Sequence, residues 1–316
     1  MRPPKPLSLP LQLHIKIQKL WGENNTIDWH LHPDVNVITG INGSGKSTLL
    51  RLLYDAFQND FSEFEGTEIF EELMIELNEK KDRFNKKEVN EKEKLTDEED
   101  WNFSDYNDSL AASFYDEIEI TYLNTFDILL KNVQDKKNIK TERIKTSLDL
   151  LLYEKGIKYV HYLKALDAKS RRGEGEATDI YRAKNRFLAI LNDSFKATQK
   201  QVKERTENGD FYFEKINTGK ILSPFQFSAG EKQFFYLLIT ALLQDNKPTI
   251  FILDEPEIAL HPEWQLNLIA YIRELNPNAM VIVATHSPEM LINGWLDKEF
   301  MMEELVQPLT PISVLS

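Results

Sequence analysis

Gly40-Ile41-Asn42-Gly43-Ser44-Gly45-Lys46-Ser47 decides the reading of this chain. The stretch fits G-x-x-x-x-G-K-[ST], and both flanks agree with it. Before it, V-N-V-I-T at Val35–Thr39 reads as a buried strand. After it, Ser47–Phe57 reads as a helix with Leu49, Leu50, Leu52, Leu53 and Phe57 available for burial. A chance glycine-rich turn would have no reason to sit between such flanks. Glycines allow the backbone N–H groups from Gly40, Asn42, Gly43, Ser44 and Gly45 to curl around phosphate oxygens, and the helix start adds the positive end of its dipole. Lys46 is then expected to reach the β and γ phosphates, Ser47 to ligate Mg²⁺, and Thr48 to add a phosphate contact.

Moving outward, Thr249-Ile250-Phe251-Ile252-Leu253-Asp254-Glu255 reads as a buried strand that delivers two carboxylates to its carboxyl end. Adjacent acids there could cap a following helix. Pro256 next to them and the apolar run before them favour a metal site, with Asp254 holding Mg²⁺ through water and Glu255 polarising the attacking water. Phe227-Ser228-Ala229-Gly230-Glu231-Lys232-Gln233 opens another helix, and by spacing Ser228 and Glu231 form a capping box. Alone, that is all it would mean. With both phosphate motifs present and Ser228 lying 26 positions ahead of Asp254, the same N-terminus reads as a γ-phosphate sensor built from Ser228, Gly230 and Glu231. His286, in A-T-H-S-P after the strand M-V-I-V-A, emerges at a carboxyl strand edge, where ligands sit in such sheets, and is expected to contact the γ-phosphate.

Taken together, G-I-N-G-S-G-K-S, F-S-A-G-E-K-Q, I-L-D-E-P-E-I-A-L-H-P-E-W-Q and A-T-H-S resemble an ABC-type ATPase of the SMC/RecF-like branch. More narrowly they are similar to compact bacterial phage-defence ATPases, such as the PtuA-like ATPases of Septu and retron systems and the ATPase domain of OLD-family proteins. The resemblance implies a P-loop ABC-type ATPase head, with a mixed β-sheet core and a helical lobe carrying the signature motif. It also implies ATP and Mg²⁺ as cofactors and a head-to-tail ATP-sandwich homodimer. In that dimer Ser228 and Gly230 of one protomer close on the nucleotide held by Gly43, Lys46 and Ser47 of the other, with Glu257–His261 at the interface. The chain departs from the family at one point: where members place a glutamine after the strand E-I-T-Y-L, it has Asn124-Thr125-Phe126-Asp127, and the nearest glutamine is Gln134. Thr125, Asp127 and Gln134 all remain candidates for that role. Trp21, 25 positions before Lys46, is either an adenine-stacking ring or a packing residue.

The 316 residues and 41% hydrophobic content suffice for a real core. They exclude a largely disordered or collagen-like chain. With no cysteine there is no disulfide framework, thiolate zinc site or cysteine nucleophile. No apolar run reaches bilayer-spanning length, and Met1–Pro10 lacks the apolar stretch of a signal peptide. The expectation is a cytoplasmic protein without membrane partners. The net charge of −13 is unevenly spread: acidity concentrates in Asp60–Glu119, and a basic island follows with Lys169, Arg171, Arg172, Arg182, Lys184 and Arg186. These runs are either solvated helix faces or, for the basic one, a polyanion-binding surface across residues 164–205.

The expected organisation is a nucleotide-binding core of residues 1–59 and 221–316, an acidic insertion at 60–116 that is helical or partly disordered, and a sheet return with helical lobe at 117–220. Little chain follows Trp295, and the sequence shows no nuclease-like acidic cluster, metal-binding His cluster or toprim-like region. An ATPase without an effector of its own points to a separate effector protein, for example a nuclease, in antiphage defence. The alternatives are a RecF-like DNA-binding repair ATPase and, ranked below it, a transporter ATPase subunit. Hydrolysis is expected to be slow, on the order of 1 s⁻¹ or below, against an enzyme median of about 10 s⁻¹.

Overall fold

The computed structural model describes residues 10–64, 67, 69–78, 80–85, 118–123, 144–204 and 211–308. In chain order the strands are β1 (Leu13–Gln18), β2 (Asn25–His30), β3 (Val35–Thr39), β4 (Glu72–Leu77), β5 (Lys80–Asn85), β6 (Glu119–Leu123), β7 (Lys200–Glu204), β8 (Phe211–Lys215), β9 (Ile221–Leu222), β10 (Thr249–Asp254), β11 (Ala279–Ala284), β12 (Glu299–Met301) and β13 (Val306–Pro308). The helices are α1 (Lys46–Gln58), α2 (Ser147–Arg171), α3 (Ala177–Ile180), α4 (Arg182–Phe195), α5 (Ala229–Leu243), α6 (Pro262–Leu275), α7 (Glu289–Ile292) and α8 (Met302–Leu305). The described residues fall into two compact units. The first holds those up to Leu123, Lys247–Glu255 and those from Met280 onward; the second holds those between Leu123 and Lys247 together with Pro256–Ala279.

In the first unit one sheet has the order β12-β3-β11-β10-β6, with parallel pairing of β10 to β6, β11 to β3 and β12 to β3. Strands covered on both faces must be apolar throughout. Accordingly V-N-V-I, T-I-F-I-L and A-M-V-I-V-A are buried at every position. Helix α1 follows β3 and packs on β10 and β6, burying Leu49, Leu50, Leu52, Leu53, Ala56 and Phe57. Its last turn ends at Asn59, whose left-handed φ of 51° stops the helix. A second sheet, β13-β2-β1-β4-β5, is antiparallel. Its strands alternate: in β1 Leu13, Ile15 and Ile17 enter the core while His14, Lys16 and Gln18 face the other way.

Part of this sheet lies where a helical or disordered insertion was expected. E-L-M-I-E-L at β4 places Leu73, Ile75 and Leu77 in the core, and β5 pairs with it through a turn at Asn78, which adopts φ 48°. Its apolar–polar alternation is short, and the charge of the surrounding segment hides it. Residues 86–116 of that insertion lie outside the described residues. The division into units also differs from the expected core of 1–59 and 221–316, because residues 221–246 and 256–279 pack with the second unit.

The second unit combines the antiparallel sheet β7-β8-β9 with α2 to α6. Phe195, Phe213, Phe227, Phe234 and Trp264 form a connected set of ring contacts with centroids 4.6 to 6.3 Å apart. The Trp264 indole N–H donates to the Ser194 carbonyl at 3.1 Å, so its polar atom is satisfied inside the apolar cluster. Helix α2 opens on a capping box in which Asp149 accepts from the Thr146 N–H and donates its own N–H to Thr146 Oγ1. The buried Asp149 also pairs with Lys232 at 2.7 Å, tying α2 to α5.

Candidate functional site

The site begins where β3 ends. Gly40, Gly43 and Gly45 have φ of 145°, 82° and 94°, values that side chains resist, so the loop can turn its amides inward. Lys46, at the first position of α1, is 4% exposed, and its ammonium donates to the carbonyls of Gly40 and Ile41, both at 3.0 Å. An ammonium has three N–H groups, so these two bonds fix its direction while leaving capacity for a phosphate oxygen. Ser47 Oγ donates to Asp254 Oδ1 at 2.9 Å. The parallel sheet thereby brings the start of α1 to the end of β10.

Glu255 follows Asp254 with a left-handed φ of 45°, an uncommon conformation for a non-glycine residue that costs about 1–3 kcal/mol. Its N–H donates to the Ala284 carbonyl at 2.9 Å, which locks the carboxyl end of β10 to that of β11. Its carboxylate Oε1 then lies 3.5 Å from His286 Nε2. Asn42, Gly43, Gly45, Lys46, Ser47, Thr48, Glu255 and His286 line one cavity of about 470 Å³, within the range of small-ligand pockets. All of them belong to the first unit. Gly40 and Ser44 complete the loop without lining the cavity: Gly40 contributes its carbonyl to Lys46, and the Ser44 N–H closes a turn onto the Ile41 carbonyl at 3.2 Å.

The arrangement fits a nucleotide phosphate with a hard divalent cation. A glycine-relaxed loop at a helix N-terminus, a buried and oriented ammonium, and a hydroxyl–carboxylate pair are what phosphate oxygens and Mg²⁺ require. Glu255 and His286 stand on the same cavity wall, where a carboxylate can orient a water and an imidazole can donate to an oxyanion.

Ser228, Gly230 and Glu231 belong to the second unit. The expected capping box is present: the Glu231 N–H donates to Ser228 Oγ at 3.3 Å and its carboxylate accepts from the Ser228 N–H at 3.1 Å. Burial pushes the Glu231 carboxyl up, but hydrogen bonds from Lys200 and the Ser228 N–H outweigh it and leave it below the usual 4.5. Gly230 is set by packing, since a Cβ there would meet the Ala259 carbonyl oxygen at 1.9 Å. Asn124, Thr125, Asp127 and Gln134 lie outside the described residues.

Two features had no signal in the sequence. Glu303 accepts from the Ile41 N–H at 2.9 Å, and this bond holds its carboxyl below the usual carboxylate range. Glu299 accepts from Thr39 Oγ1 at 2.6 Å, so acids from the C-terminal strand and helix brace the phosphate loop from outside. Their partners lie about 260 positions away in the chain, beyond any local pattern. Trp21 packs against the core and sits over Gly45, where an added Cβ would lie 2.0 Å from the indole Cζ2.

The family described as "AAA domain, putative AbiEii toxin, Type IV TA system" matches residues 35–292. The chain is 31% identical over 109 residues to the Septu protein PtuA of Bacillus thuringiensis, covering 34% of this chain and 26% of that one. It is 29% identical over 101 residues to the "Retron Vc95 probable ATPase" of Vibrio cholerae, covering 28% and 20%. It is 35% identical over 80 residues to the "Retron Ec83 probable ATPase" of Escherichia coli, covering 22% and 15%. The matched stretches thus span about a quarter or less of these relatives' own lengths. Similar solved structures include an Smc head bound to the C-winged helix domain of ScpA (11% identity, TM-score 0.45, 89% of this chain and 90% of that one). Another is a nucleotide-free ATP-binding cassette from an ABC transporter (15%, TM-score 0.41, 92% and 87%).

Proposed function

The chain belongs to the AAA-domain family of AbiEii type, and from that premise we propose that it is an Mg²⁺-dependent ATPase that closes as an ATP-sandwich homodimer. In this reading it serves as the regulatory subunit of a separate effector in bacterial antiphage defence. The observation that carries the ATPase is the cavity in which Lys46, Ser47, Glu255 and His286 meet, with Asp254 bonded to Ser47. Its similarity to a Septu protein and to two retron ATPases supports the defence setting.

Bound Mg²⁺ would neutralise phosphate charge and polarise the terminal phosphoryl group. The chain's own residues supply the rest. Loop amides and Lys46 bind and orient the phosphates, Ser47 and Asp254 hold the cation, and Glu255 orients the attacking water. His286 donates to charge that develops on the γ-phosphate. For the sandwich, the Ser228 hydroxyl oxygen already accepts from the Glu231 N–H. An oxygen that accepts in the cap can still turn its own O–H toward a γ-phosphate presented by a partner protomer.

The rival reading, nucleic acid on residues 164–205, meets an electrostatic objection. Much of the basic island is paired within the second unit: Lys169 with Asp245, Arg172 with Glu174, Arg182 with Asp179, Arg186 with Glu274 and Lys196 with Asp193. A cation already facing a carboxylate releases fewer counterions on meeting a phosphate backbone. This counts against a polyanion on these residues.

Light scattering of Glu255→Gln with and without Mg-ATP tests the proposal. A mass that doubles with Mg-ATP, and fails to do so when Ser228→Arg is added, is the expected result. A mass that stays at that of a single protomer with Mg-ATP would refute the sandwich.

A further inference from the structure

A second cluster of ligating side chains stands on the antiparallel sheet of the first unit, on the face of β1 turned away from its core. His30 on β2, His14 on β1 and Glu76 on β4 are directly opposite one another across three strands. The two imidazoles stack, with centroids 3.7 Å apart and planes 11° from parallel. Asp28, two residues before His30 on the same face, places Oδ1 2.7 Å from His14 Nε2 and 3.8 Å from His30 Nε2. One donor atom from each of the three residues lies within 4.8 Å of the others. None of them takes part in the nucleotide site.

We propose that His14, His30 and Asp28 form a site for a borderline divalent transition cation, Zn²⁺ in the first instance. Two imidazole nitrogens and one carboxylate oxygen are a Zn²⁺ donor set, whereas Mg²⁺ and Ca²⁺ take all-oxygen shells. Metal–ligand distances of about 2.0–2.2 Å put neighbouring donors roughly 3.3 Å apart around a tetrahedral ion. The 2.7 and 3.8 Å separations of Asp28 from the two imidazoles straddle that spacing. For both imidazoles to face one ion His30 must turn out of its stack on His14, a rotation open to it because its side chain is 77% exposed and that of Asp28 46%, while the ladder fixes their strands.

The surroundings fit the same role. His14 Nε2 now donates its proton to Asp28 Oδ1, a proton that a cation would displace, and Glu76 Oε2, 3.9 Å from His14 Nδ1, is placed to take up the other ring N–H as an outer carboxylate. Lys16 sits 3.0 Å from Asp28 Oδ2, so it engages the oxygen turned away from His14 and leaves Oδ1 for the ion. With three protein donors, the fourth position falls to water. The ion would clamp β1 to β2, the hairpin that leads into the phosphate-loop strand.

Calorimetric titration of the chain with ZnCl₂ tests this, with excess MgCl₂ and no nucleotide present, so that Mg²⁺ occupies the acids of the nucleotide site and no phosphate competes for Zn²⁺. One site is expected in the wild type, and it disappears in both His30→Gln and Asp28→Asn. Glu76→Gln retains it with affinity weakened roughly tenfold. Binding also weakens as the medium is acidified, because protons compete with the cation for the same donor atoms. Circular dichroism checks that each variant is folded, and His30→Gln alters a side chain that is mostly in solvent. Zn²⁺ should raise the melting temperature of the wild type and leave that of His30→Gln unchanged. No binding to the wild type, or equal affinity and stoichiometry in wild type and His30→Gln, overturns the proposal.

Discussion

Ser47 Oγ donates a 2.9 Å hydrogen bond to Asp254 Oδ1, joining residues 207 positions apart at the meeting of α1 and β10. The bond marks where a cation would be held, since the same two oxygens can turn their lone pairs to a common ion once the hydroxyl proton is released from the carboxylate. Asp254→Asn keeps the shape and removes the negative charge available there. It is expected to raise the Mg²⁺ concentration needed for turnover by about tenfold or more, while ATP binding without Mg²⁺ persists. Phosphate release measured against Mg²⁺ at fixed ATP reads this directly.

Glu255→Gln removes the group that orients the attacking water without changing its volume. Turnover is expected to fall by roughly 10²- to 10⁴-fold with ATP affinity retained. Equal phosphate release by wild type and variant would disprove the assignment.

Gly45→Ala combines two costs. The residue would have to hold φ 94°, and its methyl group would overlap the Trp21 ring at 2.0 Å. Together these are worth on the order of 2–5 kcal/mol, and a lowered melting temperature is expected by calorimetry. Adding Trp21→Ala should recover the packing share and leave the backbone share.

Gly230→Ala sets propensity against packing. In an open helix the change would stabilise by about 1 kcal/mol. Here the new Cβ would lie 1.9 Å from the Ala259 carbonyl oxygen, and backbone on backbone cannot yield cheaply, so a net destabilisation of up to about 2 kcal/mol is expected. Chemical denaturation separates the signs.

Glu231 gives a pH prediction. Burial raises its carboxyl pKa, yet hydrogen bonds from Lys200 and the Ser228 N–H bring it below 4.5. A carboxyl depressed in the folded state contributes stability that is present above its unfolded value and is lost as pH falls through the folded one. Lys200→Met removes the main lowering partner. Its acid unfolding midpoint is therefore expected at higher pH than in the wild type, as followed by circular dichroism from neutral pH downward. An unchanged midpoint would mean that the pair carries none of the acid stability.

What could be read from residues alone follows their physics. The parallel core was legible because strands buried on both faces are almost continuously apolar, as in T-I-F-I-L, and because the phosphate loop is a local motif between a strand and a helix. The capping box at Ser228 was legible by spacing. The hairpin of β4 and β5 was not, since its Leu73, Ile75 and Leu77 alternate inside an acidic segment. β2 was missed although Ile27 and Trp29 are buried. The bracing of the phosphate loop by Glu299 and Glu303 depends on tertiary proximity that no window of sequence contains.

The indole resting on Gly45 turns a packing detail into an instrument. Tryptophan emission responds to small changes in the field and polarity around the ring, and Trp21 lies against the peptide unit that precedes Lys46. Any ligand that draws the loop's amides inward must alter what this ring faces. The protein thus carries a native optical gauge of its own nucleotide site, readable without a label. A Trp21→Phe variant provides the blank against which its signal is separated from the other four tryptophans.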